Sequence, residues 1–210
     1  MVLDRAREAS ERLLSPIATR MSKWNPNRIS WLSFLLALFA SISIAGSSSH
    51  TAYLLLGGVI FLAASGILDA LDGLVARLSD RSGPKGDFLD HILDRYSDIA
   101  LILGFTFSFY SGSVALGIFA LTGIFMTSYL GTQAQAAGLK RNYGGILGRA
   151  DRIVYMLVVL LLEYIYGGTH YGAHGATFLF LTPFDWLLLF FGVAGNITAV
   201  WRALSSWRQL

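Results

Sequence analysis

Asp69, Asp72, Asp90 and Asp94 stand at i,i+3 and i,i+4 spacings in a chain that is otherwise strongly apolar. A carboxylate at membrane depth costs about 2.5 kcal/mol or more, and it is kept where ion, proton or substrate chemistry needs it. At these spacings each pair shares one helix face. Two such faces opposed make a cage for a hard divalent cation such as Mg²⁺, which takes few protein carboxylates and leaves positions for water and phosphate oxygens. Gly73 and Gly86 remove side chains beside the cage, so a ligand can approach the backbone there. Arg77, one turn after Gly73, can meet a phosphate with a forked guanidinium.

These residues need elements that hold them at one depth. Of 210 residues, 54% are apolar and 14% charged, with a mean hydropathy of +0.57. That balance lies outside the soluble range and predicts an all-α integral membrane protein. Spans of about 20 residues leave room for six helices and no separate soluble domain. The expected organisation is therefore one membrane domain, with a juxtamembrane segment over 1–25 and a six-helix bundle over 26–210. The absence of cysteine removes disulfides, thiolate nucleophiles and zinc-thiolate sites. A net charge of +3 and a pI near 9.3 suit anionic headgroups or phosphates better than nucleic acid.

Periodicity places an amphipathic surface helix over about residues 3–22, with Leu3, Ala6, Ala9, Leu13, Ile17 and Met21 on its apolar stripe. Pro26 is expected to break the chain, and the six spans to follow at about Ile29–Ala45, Thr51–Leu78, Asp87–Tyr110, Val114–Ala137, Ala150–Ile165 and Pro183–Leu204. The second and third spans, joined by a short turn through Gly83 and Pro84, are expected as antiparallel neighbours. Lys and Arg fall only in the N-terminal segment, the 77–85 turn, the 140–152 connection and the 202–208 tail, apart from Arg95 inside the third span. The positive-inside rule then predicts that both termini and the aspartates face the cytoplasm.

The run from Asp69 to Asp94 resembles the signature of the CDP-alcohol phosphotransferases, D-x2-D-G-x2-A-R-x8-G-x3-D-x3-D, with Asp69, Asp72, Gly73, Ala76, Arg77, Gly86, Asp90 and Asp94 at every fixed position. The Pro26-Asn27-x-Ile29-Ser30 run before the first span and the six-span layout also resemble that family. The resemblance implies two Mg²⁺ or Mn²⁺ ions held by Asp69, Asp72, Asp90 and Asp94. It implies a CDP group bound by Asp69, Asp72, Gly73, Ala76, Arg77, Gly86 and Asn27, and Asp94 as general base. The implied reaction is attack of an acceptor hydroxyl on the lipid-side phosphorus of a CDP-activated lipid, CDP-diacylglycerol or CDP-archaeol, with release of CMP. A homodimer is a further expectation.

Lys140, Arg149, Arg152 and Arg202 form a second basic group on the same side of the membrane. A doubly charged phosphate would match it through charge-assisted hydrogen bonds. Within the family this resembles the synthases whose acceptor is inositol phosphate. Gly131 and Gln133 stand where those synthases carry basic residues, which keeps glycerol 3-phosphate open as the acceptor. The same cations would also serve anionic headgroups alone. A divalent-cation transporter is the reading from another class; it would want acidic groups near the midplane, broken helices and internal repeats. His91 is expected off the Asp90 and Asp94 face, and His170 and His174 could pair on a metal only if their glycine-rich segment were helical.

Overall fold

The structure, a computed structural model, describes residues 13–140, 144–145, 147–167 and 181–210. Within them the protein is all-helical: α1 covers residues 13–21, followed by α2 (Pro26–Ala45), α3 (Tyr53–Leu78), α4 (Pro84–Thr106), α5 (Val114–Ala136), α6 (Arg149–Leu162) and α7 (Pro183–Trp207). A π-helical turn, Glu163–Gly167, extends α6. The expected surface helix lies partly outside the described residues, and so do His170 and His174.

Two helices start earlier than the sequence suggests, for one reason. Pro26 and Pro84 occupy the first turn of α2 and α4, where a missing N–H costs nothing and the fixed φ favours the helix. Asn25 caps α2 by accepting the Asn27 N–H at 3.0 Å. Pro26 therefore opens a span where a break was expected.

Among the described residues, four helices are long and apolar enough to cross a membrane: α2, α3, α5 and α7. Along α4, Lys85, Asp87, Asp90, Asp94, Arg95 and Asp98 interrupt the apolar run, and α6 has 14 residues, about 21 Å of helix.

α2 is the hub of one half, packed on both α3 and α4, while α5 and α7 form the other. Small residues make the close approaches. Ser33 donates to the Ser65 carbonyl at 2.9 Å and Ser65 returns the bond to the Ser33 carbonyl at 2.9 Å. Ser41 donates to the Ala100 carbonyl on α4 at 2.5 Å. In the other half Thr127 donates to the Gly195 carbonyl at 2.8 Å. α6 packs on α3 and α7. The expectation that α3 and α4 pack as direct neighbours needs correction: α2 fills the contact with each, their own backbones stay apart, and a cleft opens between them.

Backbone-to-backbone packing at Gly195 sets a test. A Cβ there would lie 2.7 Å from the Gly123 carbonyl carbon, so the helices must separate to admit it. Gly195→Ala is expected to destabilise the fold by about 1–3 kcal/mol, read as a lower thermal midpoint in detergent; an unchanged midpoint would show that α5 and α7 can slide apart freely.

Candidate active site

The cleft between α3 and α4 collects the aspartates. Asp69 and Asp72 sit in the last turns of α3, Asp90 and Asp94 in the first half of α4. Carboxylate oxygens of Asp69, Asp72 and Asp90 lie within 4.8 Å of one another, and donors of Asp90, His91 and Asp94 form a second such group. Asp90 is common to both. Asp72 is buried, and its Oδ2 has no hydrogen-bond partner. A buried carboxylate oxygen without a partner among the described residues, next to other carboxylates, suits a hard divalent cation. His91 comes closer than its position off the aspartate face suggests. Its Nε2 is 3.7 Å from Asp87 and its Nδ1 3.8 Å from Asp90.

Beside the aspartates lies a cavity of about 370 Å³ whose walls include Asn27, Ser30, Asp72, Gly73, Ala76, Arg77, Gly86 and Asp90. Six of the residues expected to bind CDP line it; the seventh, Asp69, is outside its wall, grouped with Asp72 and Asp90 and paired with Arg149 from α6. A Cβ at Gly73 would touch only Arg77 Nη1, and one at Gly86 only Asn27 Oδ1, each at an ordinary 3.6 Å. The protein itself has room for side chains at both positions. Their cost would fall on whatever occupies the cavity.

Arg81, Ser82 and Gly83 also line the cavity, and sequence reasoning did not single them out as ligands. Arg81 donates to the Trp24 carbonyl at 3.3 Å, tying the turn after α3 to the segment before α2.

The second basic group is only partly gathered. Arg149, the first residue of α6, reaches across to the cluster, with Nη1 at 2.8 Å from Asp69 and ion-paired to Asp94. Its helix starts there because Asp151 accepts the Gly148 N–H at 2.9 Å. Arg152 lies a turn further on, buried, with Nη2 bonded to Asp98 Oδ2 at 2.8 Å. Arg202 donates to the Gly144 carbonyl at 2.7 Å and the Thr127 carbonyl at 2.5 Å. That loop turns sharply at Gly145, whose φ of +139° favours glycine and where any Cβ would collide with Thr198. Lys140 is exposed. Gly131 is buried in α5 and Gln133 is exposed.

Arg95, the cation that broke the charge pattern of the sequence, is central here. It ion-pairs with Asp98 at 3.2 Å, stands 3.8 Å from Asp94 and hydrogen-bonds Ser128 on α5. Its anomalous place inside a span was the available signal.

A family model described as CDP-alcohol phosphatidyltransferase matches residues 23–198. An archaetidylinositol phosphate synthase of Methanothermobacter thermautotrophicus is 37% identical over 164 residues, which cover 78% of this chain and 80% of that protein. Among solved structures, Mycobacterium tuberculosis phosphatidylinositol phosphate synthase with CDP-DAG bound superposes with a TM-score of 0.71 at 22% identity, covering 93% of this chain and 94% of the other. The same mycobacterial protein in complex with manganese and citrate gives a TM-score of 0.67 at 24% identity, covering 91% and 88%. At those identities the two structures establish the fold.

If the carboxylate clusters hold a divalent ion, Asp72→Asn and Asp90→Asn should each weaken Mn²⁺ binding by about tenfold or more, since each removes a charged ligand. His91→Asn should change it much less. Paramagnetic resonance of free Mn²⁺ reads both, and equal losses for His91 and Asp90 would make the imidazole a ligand.

Proposed function

We propose, because the chain belongs to the CDP-alcohol phosphatidyltransferase family, that it transfers the lipid-phosphate group of a CDP-activated lipid to a hydroxyl of inositol 1-phosphate, releasing CMP. The observation that carries the acceptor class is Arg149. It approaches the aspartates from α6, while the glycine-walled cavity flanks them between α3, α4 and the start of α2. The cluster thus has a side suited to a nucleotide and a side suited to a second anion. Similarity to an archaetidylinositol phosphate synthase supports inositol phosphate as that anion.

In this reading Asn27, Gly73, Ala76, Arg77 and Gly86 hold the CDP group, with Asp69 and Asp72 at its diphosphate. Asp69, Asp72, Asp90 and Asp94 would hold the cations, Mg²⁺ or Mn²⁺ and two in number. Bound there, such ions offset the charge that builds on departing CMP. Arg149, Arg152, Arg202 and Lys140 form the basic group for the acceptor's phosphate, Arg149 foremost. An acceptor hydroxyl so placed attacks the lipid-side phosphorus, the phosphorus–oxygen bond to CMP breaks, and Asp94 takes the hydroxyl proton. Arg95 and Arg149 flank Asp94 and hold its carboxylate in place.

Gly131 and Gln133 favour the second reading, glycerol 3-phosphate as acceptor, because they leave that end of α5 without charge. The proposed setting is a single membrane domain over 1–210, with a juxtamembrane helix in 1–25 and six spans in 26–210. α4, and α6 with its π turn, would complete the count. The site and both termini would face the cytoplasm, in keeping with the basic connections around the aspartates. A homodimer is in keeping with the apolar groove of about 820 Å³ between α4 and α5, lined by Phe88, Ile92, Tyr96 and Phe125.

The deciding experiment is CMP release by purified enzyme with Mg²⁺ and a CDP-lipid, with inositol 1-phosphate, glycerol 3-phosphate, free inositol and serine offered in parallel. Release with inositol 1-phosphate alone is expected. Release only with glycerol 3-phosphate selects the second reading, and none with any acceptor returns cation transport to contention. Asp94→Asn should abolish turnover while CDP-lipid affinity stays within about threefold, as expected for a base used only in the transition state. Equal loss of affinity would make Asp94 a cation ligand foremost.

A further inference from the structure

We infer that Asp98 is a positioning residue for the acceptor side of the reaction, anchoring Arg152 and thereby the start of α6, so that Arg149 faces the aspartates. The inference rests on the reading above that Arg149 and its neighbours receive the acceptor's phosphate.

Asp98 lies on α4 one turn beyond Asp94 and is buried. One oxygen, Oδ2, serves two guanidiniums: Arg152 Nη2 at 2.8 Å and Arg95 Nη1 at 3.2 Å. Arg149 and Arg152 are three residues apart at the head of α6, so they share a face and turn together. The backbone of α6 packs on α3 and α7. Its ties to the catalytic face of α4 are side-chain ion pairs, Arg149 to Asp94 and Arg152 to Asp98. The first pair involves a carboxylate that takes part in the reaction. The second keeps its charges throughout and can act as the fixed reference.

Charge gives Asp98 more than a packing role. Without it, Arg152 would lose the carboxylate it is paired with, and Arg95 would keep Asp94, at 3.8 Å, a member of the reacting cluster. Two guanidiniums drawn toward Asp94 and Asp69 would compete with Arg149 for the same oxygens and turn the head of α6 away from the acceptor. The donor cavity is lined by α2, α3, the turn after α3 and the start of α4, and would not change.

Asp98→Asn and Asp98→Glu separate the two roles, because the amide keeps the shape and loses the charge while the longer acid does the reverse. Asp98→Asn is expected to raise the acceptor KM about tenfold or more, with CDP-lipid affinity by calorimetry within about twofold of wild type. Asp98→Glu should hold the acceptor KM within about threefold. A reversed ranking, or parallel loss for both substrates, would make Asp98 a packing residue and overturn the inference. Should both variants fail to fold, Arg152→Lys keeps the charge and loses the fork, and an unchanged acceptor KM there would also overturn it. A wild-type enzyme that releases no CMP with any phosphorylated polyol defeats the acceptor reading itself; a wild type that does, with an unaltered Asp98→Asn, defeats this inference alone.

Discussion

Carboxylates gathered inside an apolar bundle repel one another and lose their hydration, and each must recover that cost from a cation. The arrangement of the helices around the cleft follows from this need. Arg149 enters from α6 to pair with Asp69 and Asp94, and Arg95 and Arg152 share Asp98. Asp72 and Asp90 have no such guanidinium among the described ion pairs, and Asp72 keeps a buried oxygen without a partner. Protein cations therefore balance one part of the cluster and leave another part for an ion.

That division needs α3 and α4 close enough for side chains to meet and far enough apart for a nucleotide to enter. α2 sets the separation. Its serines lock it to α3 through the reciprocal Ser33 and Ser65 bonds and to α4 through Ser41, so both helices that carry the aspartates are tied to α2. A larger residue at position 33 or 41 would move a catalytic helix without touching the site.

The gathering of the residues that wall the cavity was legible in the sequence, and the placement of the basic group only in part, for a reason of connectivity. Most of the cavity wall comes from one turn and its two flanking helices, so helical spacing gathers Asp72, Gly73 and Arg77 along α3, and the short turn brings Gly86 and Asp90 of α4 across from them. Arg149, Arg152, Arg202 and Lys140 come from separate elements, and spacing says nothing of how α6 rotates against α4. The sequence marked them as basic and on the same side. It did not show that Arg152 would turn inward to Asp98 or that Arg202 would spend its donors on the carbonyls of Gly144 and Thr127. Element boundaries erred where one residue type has two opposite meanings: Pro26 and Pro84 end a helix from within and begin one at its first turn.

The cavity wall and the basic group are consequently held by different kinds of structure. The glycines and aspartates that wall the cavity stand on helix faces whose geometry follows from the backbone repeat. Arg149 and Arg152 depend instead on side-chain ion pairs between helices, and Arg202 on the carbonyls of Gly144 and Thr127. None of the residues that wall the cavity belongs to α6, so the pairing of Arg152 with Asp98 lies outside that wall. In the proposed reaction, acceptor selectivity would then rest on where these few guanidiniums are tethered.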